Sequence, residues 1–391
     1  MKNILFVIPT MRMGGAEKSL VTLLNCMDRK KYKIDLLLFE TGGVLQDDIP
    51  KDVSIIPADR ITQAMILEFR LYANNLLKDR HFMAYLHRLW TSVNPKIKSN
   101  EKFGWKYLRN YIPEFEKEYD IAISYLEGLT AFYLIDKVKA KKKIGWIHID
   151  MTGRMMPEEE KQYYEKFDHL VTISDICRKV FLEHIPSMSG YISILENLTD
   201  AETVRKKAAA EADFSGWTNK AVQIVTVGRL DIQKGIDLAV LACKKLHDEG
   251  VPVWWHVYGE GIQRTTLEKM IEENKLKGIF LLEGMKVNPY PYMAKADIIV
   301  QPSRYEGKSI VLDEAKVLGK AIVVTNYPSV EDQITDGETG LIVECEPEEI
   351  ADGIKSLVNN KNVKNRLEKK NKGVLEINTE VLNDFYRIVE M

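Results

Sequence analysis

Short apolar runs alternate with stretches of helical spacing along most of the chain. Asn3–Ile8 reads as a strand, and Ala16–Met27 as a helix with Leu20, Leu23, Leu24 and Met27 on one face. Ile34–Phe39, Val53–Ile56, Ile121–Tyr125, Lys143–Ile149 and His169–Ile173 continue the strand pattern. A second series starts near Val222. Its strands are Ile224–Val227, Trp254–Tyr258, Ile279–Leu282, Ile298–Val300, Ala321–Thr325 and Gly340–Val343, and Ile236–Leu246 is a helix with Ile236, Ala239, Val240 and Cys243 inward. Strands separated by helices imply right-handed crossovers and parallel sheets. The pattern predicts an α/β chain of two doubly wound parallel-sheet domains, residues 1–205 and 206–373. Between the two series, the charged and alanine-rich stretch Thr199–Lys220 reads as a hinge segment. Such sheets bind ligands at strand C-terminal ends, which makes a cleft between the domains the expected site.

Composition narrows the function. The 391 residues carry a net charge of −2, which excludes the chain as a whole as a binder of polyanionic nucleic acid. Four cysteines (Cys26, Cys177, Cys243, Cys345) lie far apart without a Cys-x-x-Cys pair. That argues against zinc clusters and disulfide scaffolds and suits a reducing cytosol, so a cytoplasmic location is expected. No apolar run reaches the roughly 18 residues of a membrane span. Met1–Pro9 reads as a first strand rather than a secretory signal.

The candidate chemistry sits at strand ends. Glu306-Gly-Lys-Ser-Ile-Val-Leu-Asp-Glu314 follows the apolar run Ala296–Val300 and leads into Val311, Ala315 and Leu318, spaced like one helix face. Glu306 thus falls on a strand-to-helix turn and Glu314 on the second helical turn, roughly 10 Å away. That is the span of a sugar nucleotide from ribose to sugar ring. Between them, Gly307 and the N–H groups of a helix start favour a diphosphate. Gly14-Gly15 ends the first strand and opens a helix, so the backbone there can approach an anion closely. It is not the Gly-x-Gly-x-x-Gly of a dinucleotide site. Val227-Gly-Arg229-Leu-Asp-Ile-Gln-Lys234-Gly235 places two cations at another strand end, suited to neutralising a diphosphate leaving group. His148 ends a strand of the first domain, where it either orients a reacting hydroxyl or is a satisfied structural residue. Tyr258-Gly259-Glu260-Gly261 and Gly284-Met285-Lys286 are further strand-to-turn junctions.

Ser303-Arg-Tyr-Glu-Gly, the Glu-x7-Glu spacing and the Gly228-Arg-Leu…Lys234-Gly string resemble the donor site of the large retaining GT-B glycosyltransferase family often called group 1. The resemblance implies GT-B architecture, two Rossmann-like domains facing a cleft, with a last helix, Val374–Glu390, crossing back onto the first. It implies that Gly15, next to Gly14, lies beside the donor diphosphate and sugar, and that Arg229 and Lys234 clamp the diphosphate. It places His148 near the donor sugar's 6-position, Gly259 near the nucleotide and Met285 at the base. Glu306 then binds donor-sugar hydroxyls near the anomeric centre, and Glu314 the ribose hydroxyls. Many relatives have a bulky apolar residue and a small one or proline after Glu-Gly. Here Lys308 and Ser309 stand there, and the backbone donors of Lys308, Ser309 and Ile310 remain suited to phosphate or sugar. Asn197 and Asp200 resemble the family's Asn-x-x-Asp junction. The implied reaction moves a hexose from a nucleotide-diphosphate donor, UDP-linked before GDP-linked, to a glycan or polyprenyl-linked saccharide. Configuration is retained, and neither cofactor nor metal is expected. The rival readings are a UDP-sugar 2-epimerase of the same architecture, a phosphorylase, which would need a pyridoxal lysine and a longer chain, and a non-catalytic sugar-nucleotide-binding protein.

Residues 60–109 hold ten Lys/Arg against three acids, a local +7, together with many aromatic and aliphatic residues. Such a segment reads either as attachment to anionic lipid, at the inner face of the cell membrane, or as a helical insertion over the first domain with a solvated charged face.

Overall fold

The computed structural model describes residues 1–93, 101–149, 151, 155–217, 220–372 and 379–391. The chain divides into two compact units, Met1–Leu198 with Thr379–Met391, and Thr199–Asn378.

The first unit opens with β1 (Lys2–Ile8), α1 (Gly15–Cys26), β2 (Tyr32–Leu38) and β3 (Ser54–Pro57). Helices α2 (Arg60–Ile66), α3 (Phe69–Lys78), α4 (Phe82–Val93) and α5 (Glu101–Leu108) follow. Then come β4 (Glu118–Ser124), α6 (Leu129–Lys137), β5 (Lys139–Ile147), α7 (Glu158–Tyr164), β6 (His169–Thr172), α8 (Asp175–His184) and β7 (Ile192–Ile194). The strands form one parallel sheet in the order β3-β2-β1-β4-β5-β6-β7, with Ile4 level with Ile34 on one side and Ile121 on the other. Both faces of β1 are covered, which is why its sequence is a continuous apolar run instead of an alternation. Ile4, Phe6 and Ile8 join α1 in one core, while Leu5 and Val7 join Phe39, Phe132 and Trp105 in the other.

The second unit contains α9 (Ala201–Ala208), β8 (Val222–Val227), α10 (Ile236–Asp248), β9 (Val253–Tyr258), α11 (Arg264–Glu273) and β10 (Phe280–Gly284). It continues with α12 (Tyr290–Lys295), β11 (Ile298–Gln301), α13 (Ile310–Val317), β12 (Ala321–Thr325), β13 (Leu341–Val343), α14 (Pro347–Asn359) and α15 (Lys361–Asn371). Its strands form a parallel sheet in the order β10-β9-β8-β11-β12-β13. Helix α16 (Thr379–Glu390) belongs to the first unit: Val381, Phe385, Ile388 and Val389 enter the core with Ile4 and Phe6, and the Phe385 ring stacks on Phe6 at 6.5 Å. Burying a side chain the size of Phe385 stabilises by about 2–3 kcal/mol. Residues 374–378 of the expected last helix, Ile377 among them, lie outside the described residues.

One reading changes, and one strand goes unread. The stretch Thr199–Lys220 is not a bare hinge. Asp200 caps α9 by accepting from the Thr203 N–H (2.9 Å), Ala201 and Val204 enter the core of the second unit, and Phe214 and Trp217 pack on Tyr292. Strand β7 has only three residues and shows no apolar run, so periodicity gives no sign of it.

In each sheet the strand order reverses beside the first strand, between β1 and β4 and between β8 and β11. The connections leave in opposite directions there, which opens a crevice at the strand C-terminal ends. In the second unit that crevice is bordered by the loops beginning at Gly228 and Pro302.

Candidate functional site

The loops after β8, β9 and β10 are locked together through their backbones. Gly228 N–H donates to Tyr258 O (3.1 Å), Gly259 N–H to Gly284 O (3.0 Å) and Leu230 N–H to Glu260 O (3.0 Å). A methyl on Gly259 would lie 1.8 Å from the Gly228 carbonyl oxygen, so only glycine permits this approach. Gly235 ends the β8 loop in the left-handed region (φ +63°), with Pro302 O 1.9 Å from where a Cβ would stand. The β8 and β11 loops therefore touch at Gly235, and Arg304 N–H donates to Gln233 O (2.8 Å).

This contact brings Lys234 to Glu306. Lys234 Nζ lies 2.5 Å from Glu306 Oε1, with both side chains largely buried. Gln301 Nε2 (2.8 Å) and Ser303 Oγ (2.7 Å) donate to the same oxygen. Ser329 Oγ donates to the Glu306 carbonyl (2.7 Å). A buried carboxylate needs this many donors to remain ionised at low cost. Oε2 engages no hydrogen bond among the described residues. Glu314, on the second turn of α13, is 1% exposed and accepts from Tyr290 OH (2.7 Å). Arg229 stands at the rim, its side chain 65% exposed, with Nε 3.3 Å from Asp231 and Nη2 donating to Gln233 Oε1 (3.2 Å). Met285 follows Gly284 (φ +75°) and is exposed.

The start of α13 differs from the expectation in one respect. The Ser309 N–H is taken: it donates to Gln333 Oε1 (2.7 Å), whose Nε2 donates back to Ser309 O (2.8 Å). Ser309 Oγ donates to Gln301 Oε1 (2.9 Å) and does not cap the helix. Ser309 is therefore a fixed strut, and the amides of α13 beyond it, from Ile310 on, are what the turn presents to an anion. Lys308 is half-buried beside it.

The first unit holds the remaining sequence candidates. Gly14 is the N-cap of α1 in extended conformation and Gly15 its first residue. Its Cα approaches the Glu17 carboxylate so closely that an added Cβ would lie 2.1 Å from Oε2. His148 follows β5. Its N–H donates to Glu127 Oε2 (3.0 Å), and its ring lies against Tyr125 (5.0 Å) and parallel to Trp146 (6.0 Å). Ring Nε2 is buried with no hydrogen-bond partner among the described residues. Desolvation pushes the imidazole down to about 3, so His148 is neutral near pH 7. Asn197 is buried at the end of this unit.

Within the second unit, hydrogen bonds and close backbone approaches join Lys234, Gly259, Glu306 and Ser309 through the loops after β8, β9 and β11, with Arg229 on the same loop as Lys234. Lys308, Ile310 and Glu314 lie on the turn into α13 and in its first turns, and Met285 follows β10. Gly14, Gly15 and His148 lie at strand ends of the first. Sequence reasoning missed Gln301, Tyr290, Ser329 and Gln333. The polar Gln301 closing a buried apolar strand was the one available signal. Among the described residues, no three His, Cys, Asp or Glu side chains gather as a metal-holding group. No helix among them is long and apolar enough to cross a membrane.

Residues 209–374 match the model of the family described as glycosyl transferases group 1. An N-acetylgalactosamine-N,N'-diacetylbacillosaminyl-diphospho-undecaprenol 4-alpha-N-acetylgalactosaminyltransferase of Campylobacter jejuni is 34% identical over 167 residues, 42% of this chain and 44% of that protein. The alpha-D-kanosaminyltransferase of Streptomyces kanamyceticus is 26% identical over 175 residues, 44% of this chain and 45% of its own. The chain spans under half the length of these curated relatives. Among solved structures, Anabaena Alr3699/HepE in complex with UDP and glucose superposes with a TM-score of 0.72 at 13% identity, covering all of both chains. That likeness shows the fold, GT-B, with its two Rossmann-like domains.

Proposed function

We propose that this chain, whose second unit carries a group 1 glycosyltransferase domain, moves a hexose from a nucleotide-diphosphate donor to a hydroxyl of a glycan or lipid-linked saccharide. The observation that carries the reading is the Lys234–Glu306 pair, set at the reversal point of the second sheet and beside the start of α13. Glu306 uses Oε1 for its protein donors, so Oε2 is the atom for a sugar hydroxyl. Glu314, oriented by Tyr290, accepts from the ribose. Lys234, Arg229 and the α13 amides hold the diphosphate and offset the charge that grows on it as the anomeric C–O bond breaks. The acceptor hydroxyl oxygen bonds the anomeric carbon and its proton is released. His148 contributes a neutral imidazole, a hydrogen-bonding group for a hydroxyl and not a cationic acid. We infer retention of configuration and a UDP-sugar donor ahead of a GDP-sugar from the motif resemblance, and catalysis without a metal from the two cations. That the Campylobacter and Anabaena proteins are named for an undecaprenol-linked substrate and for bound UDP, respectively, supports this choice.

The experiment is nucleotide release. A transferase frees UDP or GDP in proportion to acceptor, and chelator leaves the rate unchanged. Product without acceptor favours an epimerase, and no release with any donor favours a binding protein. Loss of activity with EDTA overturns the metal-free step.

A further inference from the structure

Helices α2–α5 form an insertion between β3 and β4 that covers one face of the first sheet: Ala64, Met65, Leu76, Ala84, Trp105 and Leu108 enter the core there. Helix α4 is seated the opposite way from an ordinary surface helix. The side it turns to the protein carries Ala84 and Thr91, both buried, and Arg88, which donates to the carbonyls of Ala64 (3.2 Å) and Leu67 (2.7 Å) at the end of α2. The outward side carries Phe82, Met83, Leu86, Trp90 and Val93, between 43% and 66% exposed. At 100° per residue these five fall within an arc of about 100°, a continuous apolar stripe. The alternative of a solvated charged face is thus not what α4 presents.

Cations flank the stripe. Lys78 and Arg80 are exposed just before its first residue, and Lys106 is exposed on α5, where Tyr107 meets the Trp90 ring edge-to-face at 5.3 Å. The Lys96 and Lys98 of this basic segment lie outside the described residues, as do the side chains of Arg70 and Lys102. An apolar stripe of this width is rare on a surface that meets only water. Large apolar side chains, a half-exposed tryptophan and tyrosine, and bordering lysine and arginine match the depth profile of a bilayer interface with anionic headgroups. Of the cations in this +7 segment, Arg88 turns inward and Arg60 and Arg109 lie beside Asp79 and Asp136, so the exposed Lys78, Arg80 and Lys106 supply the charge complementarity at the stripe.

We propose that the outward face of α4, with Lys78, Arg80 and Lys106, docks the chain onto an anionic lipid surface, with Phe82, Leu86 and Trp90 entering the acyl boundary. The contact is peripheral and needs no spanning helix.

The test is flotation with unilamellar vesicles of phosphatidylcholine and phosphatidylglycerol at 3:1, and of phosphatidylcholine alone. The wild type should float with the anionic vesicles at least about ten-fold better than with the neutral ones. Phe82→Gln with Leu86→Gln should weaken anionic-vesicle partitioning about 20-fold or more, and Lys78→Glu with Arg80→Glu should weaken it by a similar factor. The substituted side chains are exposed, so both variants should keep the wild-type thermal midpoint. Wild-type protein that floats with neither vesicle overturns the proposal, and so do variants that float as well as wild type. Sedimentation velocity without lipid covers the other occupant: a wild-type dimer that the Phe82/Leu86 variant converts to monomer makes the face a subunit contact and also overturns the proposal.

Discussion

Lys234 and Glu306 are 72 positions apart in sequence and 2.5 Å apart in space, and the Lys234 backbone N–H also donates to Asp231 Oδ1 (3.1 Å). One approach, Gly235 against Pro302, sets the distance. The pair ties two loops from different strands into one unit.

Lys234→Ala leaves the Glu306 carboxylate with only Gln301 and Ser303 as donors. Stability should fall by about 1–3 kcal/mol, less than for a fully enclosed pair because Lys234 keeps some contact with water. Turnover should fall about 100-fold. Adding Glu306→Gln removes the stranded charge, so the double variant should regain thermal midpoint without regaining turnover. A double variant less stable than Lys234→Ala would contradict the pairing. Thermal denaturation and nucleotide release read the two effects separately.

Tyr290→Phe removes the hydroxyl that donates to Glu314 Oε1 while keeping the ring. If Glu314 binds the ribose, donor KM should rise about 3- to 10-fold with kcat little changed. An unchanged KM would separate Glu314 from donor binding.

His148 gives a pH signature. Its folded value, about 3, lies below its unfolded value near 6.5, so between the two the unfolded chain holds the extra proton. That contribution to stability is complete above 6.5 and is lost as pH falls toward 3. His148→Phe keeps the ring against Tyr125 and should therefore show a smaller drop in thermal midpoint from about pH 7.5 to 5 than the wild type. Equal drops would mean that His148 titrates normally in the folded chain.

Gly259→Ala tests the backbone lock between the β8 and β9 loops. The new methyl meets a carbonyl oxygen at 1.8 Å and no side chain is there to move aside, so a loss of about 2–3 kcal/mol is expected in denaturant unfolding. Gly216→Ala, where φ is likewise not positive and no atom lies within 4 Å of the added Cβ, is the control without the clash.

Much of this architecture was legible because both sheets are parallel and covered on both faces. Buried strands such as Ala321–Thr325 then appear as uninterrupted apolar runs. The placing of Glu306 on a strand-to-helix turn and of Glu314 on the second helical turn was legible because the strand–loop–helix context is local in sequence. Their partners were not. Gln301 looks like the end of a strand, Ser329 and Gln333 sit in a later loop, and Tyr290 lies in Pro289-Tyr-Pro, which carries no motif. Those contacts exist only once α12 and β12 have packed. The packing within Thr199–Lys220 was not legible because its core residues, the buried Ala201 and Val204 and the half-buried Phe214 and Trp217, are too sparse and irregular to form a period. For α4 the sequence showed amphipathicity, but which face turns outward depends on Arg88 reaching back to α2.

The most direct measurement is calorimetric titration of the wild type, Glu306→Ala and Glu314→Ala with UDP, GDP and their hexose conjugates. One nucleotide should bind. Glu314→Ala should weaken both the free nucleotide and its sugar conjugate about ten-fold, whereas Glu306→Ala should weaken the conjugate and leave the free nucleotide near its wild-type affinity. Wild-type affinities for both ligands in both variants would contradict the assignment of this crevice as the donor site.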